Sequence, residues 1–300
     1  MNQPPVCDYE GSDYQKTFWD SGGREYEDQC EALAIRRLLP KTGRLLLEVG
    51  AGAGRNTLRY SGYDRIVLLD YSLTQLQHAR EKLGDSGRFL YAAANVYQLP
   101  FVPRLFDSAT MIRTLHHLAE PPLALREIRR VLAPNASFLL EFANKLNLKS
   151  IVRFLAGRQS WSPFSLDPVE YLPLNFDFHP VRVREWLAES GFSLLRQATV
   201  SHFRIEWVKR AVPAPLLARL DFLLGYTGGL FQLSPSVFVL ARANPAPAEK
   251  PSGFFQCPLC QSSELKEVGR SGNAFLQCGS CRRKFPIRNG IYDFKDSVPG

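Results

Sequence analysis

Nowhere does this 300-residue sequence hold the run of roughly 20 apolar residues that a membrane-spanning helix needs. Its greasiest stretch, Pro215 to Gly225, is short and contains Arg219 and Asp221. The opening MNQPPVCDYEGSD lacks the basic-then-apolar pattern of a signal peptide, which predicts a cytoplasmic protein with no membrane span. There is no internal repeat. Cysteine is scarce: with six in the chain and no export signal, the four in CxxC spacing favour metal over disulfides. The charge is not strongly one-sided either. A net +8 permits nucleic acid, anionic substrates or a membrane surface as partners and demands none. What remains is an ordinary globular composition, 45% hydrophobic and 22% charged, long enough for one large domain or two smaller ones.

Seven short apolar runs read as buried strands: 44–50, 65–70, 88–94, 107–112, 137–143, 193–201 and 235–243. Amphipathic stretches alternate with them. SLTQLQHAREKLG opens with Ser72 and Gln75 at capping-box spacing and closes near Gly84. PLALREIRRVLAP puts Leu123, Ile128, Val131 and Leu132 on one face, and residues 27–40 and 180–192 are further helices. The pattern predicts an α/β fold, a Rossmann-like, mostly parallel seven-stranded sheet with helices on both faces. Residues 244–253 are Pro/Ala-rich and polar, hence a linker between a domain at 1–243 and a separate small module at 254–300.

The first strand runs into LLLEVGAGAGRNT, a glycine-rich turn expected to lead into a helix. Gly50, Gly52 and Gly54 let a ligand approach the backbone closely. A dinucleotide fingerprint would place its third glycine at position 55, which is Arg55. With Glu48 two places before Gly50, the pattern E-x-G-x-G-x-G resembles the class I S-adenosylmethionine-dependent methyltransferases. Asp70 ends the second strand, where an ionised carboxylate, having only acceptor sites, can take both ribose hydroxyl protons. AANVYQLPF, RTLHHL and REIRRVLAPNASFLLEF follow in that family's order, so residues 44–143 are similar to the group containing ubiquinone and menaquinone C-methyltransferases. The resemblance implies S-adenosylmethionine as cofactor, held by Glu48, Gly50, Gly52, Gly54, Asp70, Tyr71, Asn95, Val96 and Arg113. Asn95 stands where the family has aspartate, which weakens an adenine contact without abolishing it.

Methyl transfer is an in-line displacement, so alignment dominates and no catalytic triad is required; none is seen. His116 and His117, past the fourth strand, are candidate bases or cofactor-lining residues, His117 being the better placed. DYQKTFWDSGGREYED resembles a lid over the cofactor, with Arg24 toward its carboxylate and Tyr14 or Tyr26 as cover, or else it is a packed arm. Residues 144–180 and 201–234 are expected to form a substrate cap, with Asn144 and Lys145 facing the substrate. The fourth-strand loop lacks [DN]PPY, which argues against adenine, cytosine or glutamine methylation.

Cys257, Cys260, Cys278 and Cys281 form C-x2-C-x17-C-x2-C, the spacing of a zinc ribbon. Four ligands close the site, so the zinc is expected to be structural; iron in the same cage or a redox pair are the alternatives. Cys7 and Cys30 read as plain thiols. The ribbon and its RRKFPIRNGIYDF ending resemble the small zinc-binding activators of tRNA, rRNA and release-factor methyltransferases, with Tyr292 in place of a proline. Arg282, Arg283, Lys284 and Arg288 cluster there, which keeps RNA open as an alternative to a small-molecule substrate. A non-catalytic binding protein is the third reading. The sequence sets no oligomeric state.

Overall fold

The computed structural model describes residues 4–12, 17, 19, 23–247, 251–270 and 273–299. In chain order the elements are α1 (Glu25–Leu38), β1 (Gly43–Val49), β2 (Tyr63–Asp70), α2 (Leu73–Leu83), β3 (Phe89–Ala93), β4 (Phe106–Met111), α3 (Pro121–Val131) and β5 (Leu132–Ala143). Then come α4 (Leu148–Leu155), β6 (Val169–Leu172), β7 (Asn175–Asp177), α5 (Pro180–Glu189), β8 (Phe192–Val200), α6 (Glu206–Ala211), α7 (Ala214–Leu224) and β9 (Ser236–Ala243). The cysteine-bearing end adds β10 (Leu265–Arg270), β11 (Asn273–Cys278), β12 (Lys284–Arg288) and β13 (Ile291–Asp293).

All seven expected strands form, and they pair in the order β3-β2-β1-β4-β5-β9-β8. Neighbours from β3 to β5 run parallel, while β9 is antiparallel to both β5 and β8. Strands buried on both faces read as continuous apolar runs, which is what β1, β2 and β9 show. One face packs Leu47, Val49 and Leu69 with Leu125 and Ile128 of α3 and Val183 and Leu187 of α5. The other packs Leu46, Ile66 and Leu68 with Ile35 of α1, Leu76 of α2 and Leu217 of α7. The chain order reverses between β1 and β4, the switch point where open α/β sheets bind ligands.

Two expectations change. The glycine turn leads into a single 3-10 turn, Thr57–Arg59, with no α-helix behind it. The cysteine-rich end is also not a detached module: β13 lies parallel to β3, pairing Ile291 with Tyr91 and Asp293 with Ala93, so one sheet of eleven strands runs through both parts. Phe255 seals the junction, stacked on buried Phe101 and packed against Tyr292 and Phe294. A short strand pair gains little from its few hydrogen bonds; the aromatic cluster supplies the apolar burial that fixes it. Among the described residues no helix is long and apolar enough to cross a membrane.

Candidate cofactor and metal sites

A cavity opens at the carboxyl ends of β1, β2 and β4, where the switch point lies. Its floor is the turn from Gly50 to Ala53, with Glu48, Asp70, Tyr71, Val96, Arg113 and His117 on the walls. Gly50 has φ +69°, and a methyl there would collide with the Thr114 side chain. Gly52 has φ +52° and open space where a side chain would project, so its backbone lies bare to the cavity. Gly54 serves differently: it faces α2, where a methyl would meet Leu83 at 2.9 Å.

Asp70 is the hub of the loop. Its Oδ2 accepts the N–H of Gly52 at 2.8 Å and its Oδ1 the N–H of Ser72 at 2.9 Å, while burial raises its pKa. Each carboxylate oxygen keeps a further lone pair for a ligand hydroxyl. Glu48 is fully enclosed and accepts the Thr57 hydroxyl at 2.6 Å. Burial pushes its pKa up to about 7, against which the Thr57 bond and the charges of Arg55 and Arg59 pull only partly. A carboxyl whose folded pKa is raised gives stability that is complete below the unfolded value of 4.5 and lost as pH rises through about 7. Glu48→Gln should therefore stabilise the protein at pH 8.5, by on the order of 3 kcal/mol, with the advantage shrinking toward pH 5; thermal melts across that range read it.

Asn95 does not reach the cavity. The wall passes through Ala94 and Val96, and the Asn95 amide oxygen accepts the N–H of Tyr97 at 2.9 Å. Arg24 also stands off the wall, its guanidinium 4.0 Å from Glu27 Oε1, and among the described residues the cations that line the cavity are Arg55 and Arg113. These two converge on Glu31, at 2.6 and 2.7 Å. Burial alone would raise the Glu31 pKa, but Arg113 and Arg55 hold it at about 2. No local spacing marks this triad, because α1 and the β4 loop meet only in the fold.

The N-terminal arm covers the site, though without Arg24 or Tyr26. Val6, Cys7, Tyr9 and Trp19 line the cavity, and the Trp19 ring lies 3.6 Å from the Arg55 guanidinium. Tyr14 is outside the described residues. Tyr26 is buried elsewhere, donating its hydroxyl to Asp221 of α7 at 2.7 Å. Glu10 caps α2 by accepting the N–H groups of Leu73 and Thr74 at 2.8 and 3.1 Å. From the far side, Lys295 places its ammonium 4.6 Å from the Tyr71 ring and 3.8 Å from Glu10. The cysteine-bearing end thus reaches the cavity rim.

His117 lines the cavity, and His116 lies behind it with ring centroids 4.0 Å apart. The Leu174 carbonyl sits 3.0 Å from His117 Nδ1, so that nitrogen carries the proton and Nε2 accepts the Tyr9 hydroxyl at 3.1 Å. Burial lowers the pKa of both rings, well below the ordinary value for His116, and leaves them neutral. Arg204, at the start of the second cap segment, is close enough for its charge to depress His116 further. Among the described residues its Nε and Nη2 are buried without a hydrogen-bond partner, as are His116 Nδ1 and Glu27 Oε2. Asn144 and Lys145, expected to face the substrate, are absent from the cavity lining. The Asn144 amide donates to the carbonyls of Gln232 and Ser234, and Lys145 Nζ to that of Asp167 at 2.6 Å, so both tie the cap down.

The four cysteine sulfurs lie within 4.8 Å of one another, with Cys257–Cys281 at 3.7 Å and Cys260–Cys278 at 3.5 Å. A tetrahedron with metal–sulfur bonds of ~2.3 Å has edges of about 3.8 Å, so the donor set and spacing fit a zinc ion.

Residues 47–140 match the family of methyltransferase domains. The demethylmenaquinone methyltransferase of Chlamydia trachomatis is 31% identical over 50% of this chain and 75% of its own length. The malonyl-[acyl-carrier protein] O-methyltransferase of Erwinia pyrifoliae is 30% identical over 42% of this chain, which spans about half (48%) of that relative. Among solved structures, the complex of the Haloferax volcanii Trm112 methyltransferase activator with a methyltransferase superposes with a TM-score of 0.53 at 18% identity. The superposition covers 75% of this chain and 93% of that one, and it speaks to the fold alone. The chain belongs to the class I S-adenosylmethionine-dependent methyltransferases.

Proposed function

We propose that this protein transfers a methyl group from S-adenosylmethionine to an oxygen, carbon or nitrogen of a small molecule. The observation that carries the proposal is the cavity over Gly52 and Asp70, lined by His117, with buried polar atoms of His116, Arg204 and Glu27 behind it that have no partner among the described residues. Two buried guanidinium nitrogens without an acceptor are costly, and an acceptor molecule bearing an anionic or oxygen-rich group would relieve them. Relatives named for demethylmenaquinone and for malonyl-[acyl-carrier protein] support this substrate class. In this reading residues 1–243 are the methyltransferase unit, and residues 254–300 are a ribbon in which Cys257, Cys260, Cys278 and Cys281 hold a structural zinc ion.

Bound S-adenosylmethionine supplies an electrophilic methyl group on a sulfonium. The chain supplies alignment, worth roughly 7–11 kcal/mol in well-oriented reactions. Gly52 presents bare backbone, Asp70 offers acceptors for the ribose, and Trp19 and Tyr9 exclude water. His117, neutral and on the wall, would take a proton at Nε2 where the nucleophile must lose one, once the Tyr9 hydroxyl gives up that lone pair. RNA as substrate finds less support, since Arg288 of the basic cluster is already paired with Asp293 and Asp296 at 3.0 and 3.4 Å.

The test follows labelled methyl from the cofactor into the small-molecule, RNA and protein fractions of a cell extract. Label is expected in the small-molecule fraction. Arg204→Met should abolish transfer while calorimetry shows unchanged cofactor binding. Label confined to RNA, or full transfer by the Arg204 variant, would overturn the proposal.

A further inference from the structure

Two helices of the cap turn their apolar stripes outward. In α4 the exposed residues include Leu148, Val152 and Leu155, at i, i+4 and i+7, and the buried one is Ser150. In α7 Leu216, Leu220 and Leu223 repeat that spacing on the solvent side, opposite buried Leu217 and Asp221. The stripes are joined. The segment after α7 carries Leu230 and Phe231, 80% and 64% exposed, and its Leu233 carbonyl accepts the N–H of Leu148 at 2.8 Å. Trp207 of α6, 71% exposed, adds an amphipathic ring. Scattered exposed leucines are normal, but a continuous helical-period face of them marks a contact surface.

The charges around this face are mostly of one sign. Lys149, Arg153, Arg210 and Arg219 are exposed on α4, α6 and α7, against a single exposed acid there, Glu206, while the segment after α4 exposes both Arg158 and Asp167. We infer that this face docks on an anionic phospholipid bilayer surface, lying in the interface without crossing it. An apolar stripe with a basic flank fits the boundary between acyl chains and headgroups, where each Lys or Arg near the surface attracts anionic lipid. A tryptophan suits the same depth. A second copy of this chain would set cations against cations across the contact, which disfavours self-association there. The inference goes beyond methyl transfer and is tested without cofactor.

The experiment is flotation of the full chain with vesicles of phosphatidylglycerol and phosphatidylcholine, and with phosphatidylcholine alone. Binding to the anionic vesicles is expected, weakened on the order of tenfold by neutral lipid or by about 0.5 M salt. Leu220→Asp with Leu223→Asp should remove it. Arg153→Glu with Arg219→Glu should weaken it by on the order of tenfold or more. Both variants alter only exposed side chains, so their melting temperatures should stay with the parent. Three results would overturn the inference: no flotation of the parent, flotation unchanged in both variants, or parent self-association that the leucine variants abolish without any vesicle binding.

Discussion

Cys278→Ser is expected to lower the melting temperature by more than 10 °C and to weaken S-adenosylmethionine binding several-fold. Metal binding to four thiolates is worth on the order of 10–16 kcal/mol, and in a tail of this size that energy replaces the core the segment is too small to build. With the cage broken, β10 to β13 lose their staple. β13 then leaves β3, and the Phe101–Phe255 stack opens to water. A loss of even 3 kcal/mol in a domain of 150–250 residues moves the transition by roughly 6–12 °C. The cofactor effect has a separate origin. Lys295 leaves the Tyr71 ring and Glu10 loses its ion pair, and a cation–π contact is worth about 0.5–2 kcal/mol. Scanning fluorimetry, calorimetry and hydrogen exchange at residues 89–93 read the three effects together. An unchanged melt and unchanged affinity would show the ribbon to be an ornament on an independent enzyme.

Asp70→Ala is expected to reduce S-adenosylmethionine affinity at least a hundredfold with little change in the melt. The carboxylate accepts two backbone N–H bonds that shape the loop, and in the proposed reading it would also accept the ribose hydroxyls. Hydrogen bonds to a charged group contribute about 1.5–3 kcal/mol each, so losing two spans the stated range. The surrounding strand is held by its ladder to β1 and β3, so the fold should tolerate the change. Asp70→Asn keeps one acceptor oxygen and should fall between, on the order of tenfold weaker. Titration calorimetry on the three proteins gives the order directly. Equal affinities would remove Asp70 from the site.

The parts of the site that were legible in the sequence are those made by neighbours along the chain. The glycine turn, Asp70 at the end of β2 and the four cysteines each declare themselves through local spacing, because a turn or a metal cage constrains residues a few positions apart. The seven strands were legible for the same reason, as buried apolar runs set apart by caps and glycines. Contacts across the fold left no such trace. Glu31 gathers Arg55 and Arg113 from two loops, and Arg204 arrives beside His116 from the far side of the cap. Arg24 and Tyr26 misled because an arm rich in aromatics can lie over a cavity in either orientation, and here Trp19 and Tyr9 took the inner side. Asn144 and Lys145 misled because a polar residue at a strand end serves equally well to bind a ligand or to anchor a loop. For the ribbon, spacing announced the cage but not its attachment, which depends on the unpaired flank of a strand some two hundred residues earlier.

That attachment also bears on which other proteins can approach. The outer flank of β3 is a row of backbone donors and acceptors that any extended segment could join. Here the chain fills the row with its own β13, tethered through residues 244–253. A tethered segment competes at an effective concentration in the millimolar range, about as high as short linkers allow. A free competitor would need either that concentration or a vacated slot. The seat is vacated only when the four-cysteine cage lets go, so a zinc ion held there would govern not merely a fold but the availability of an edge.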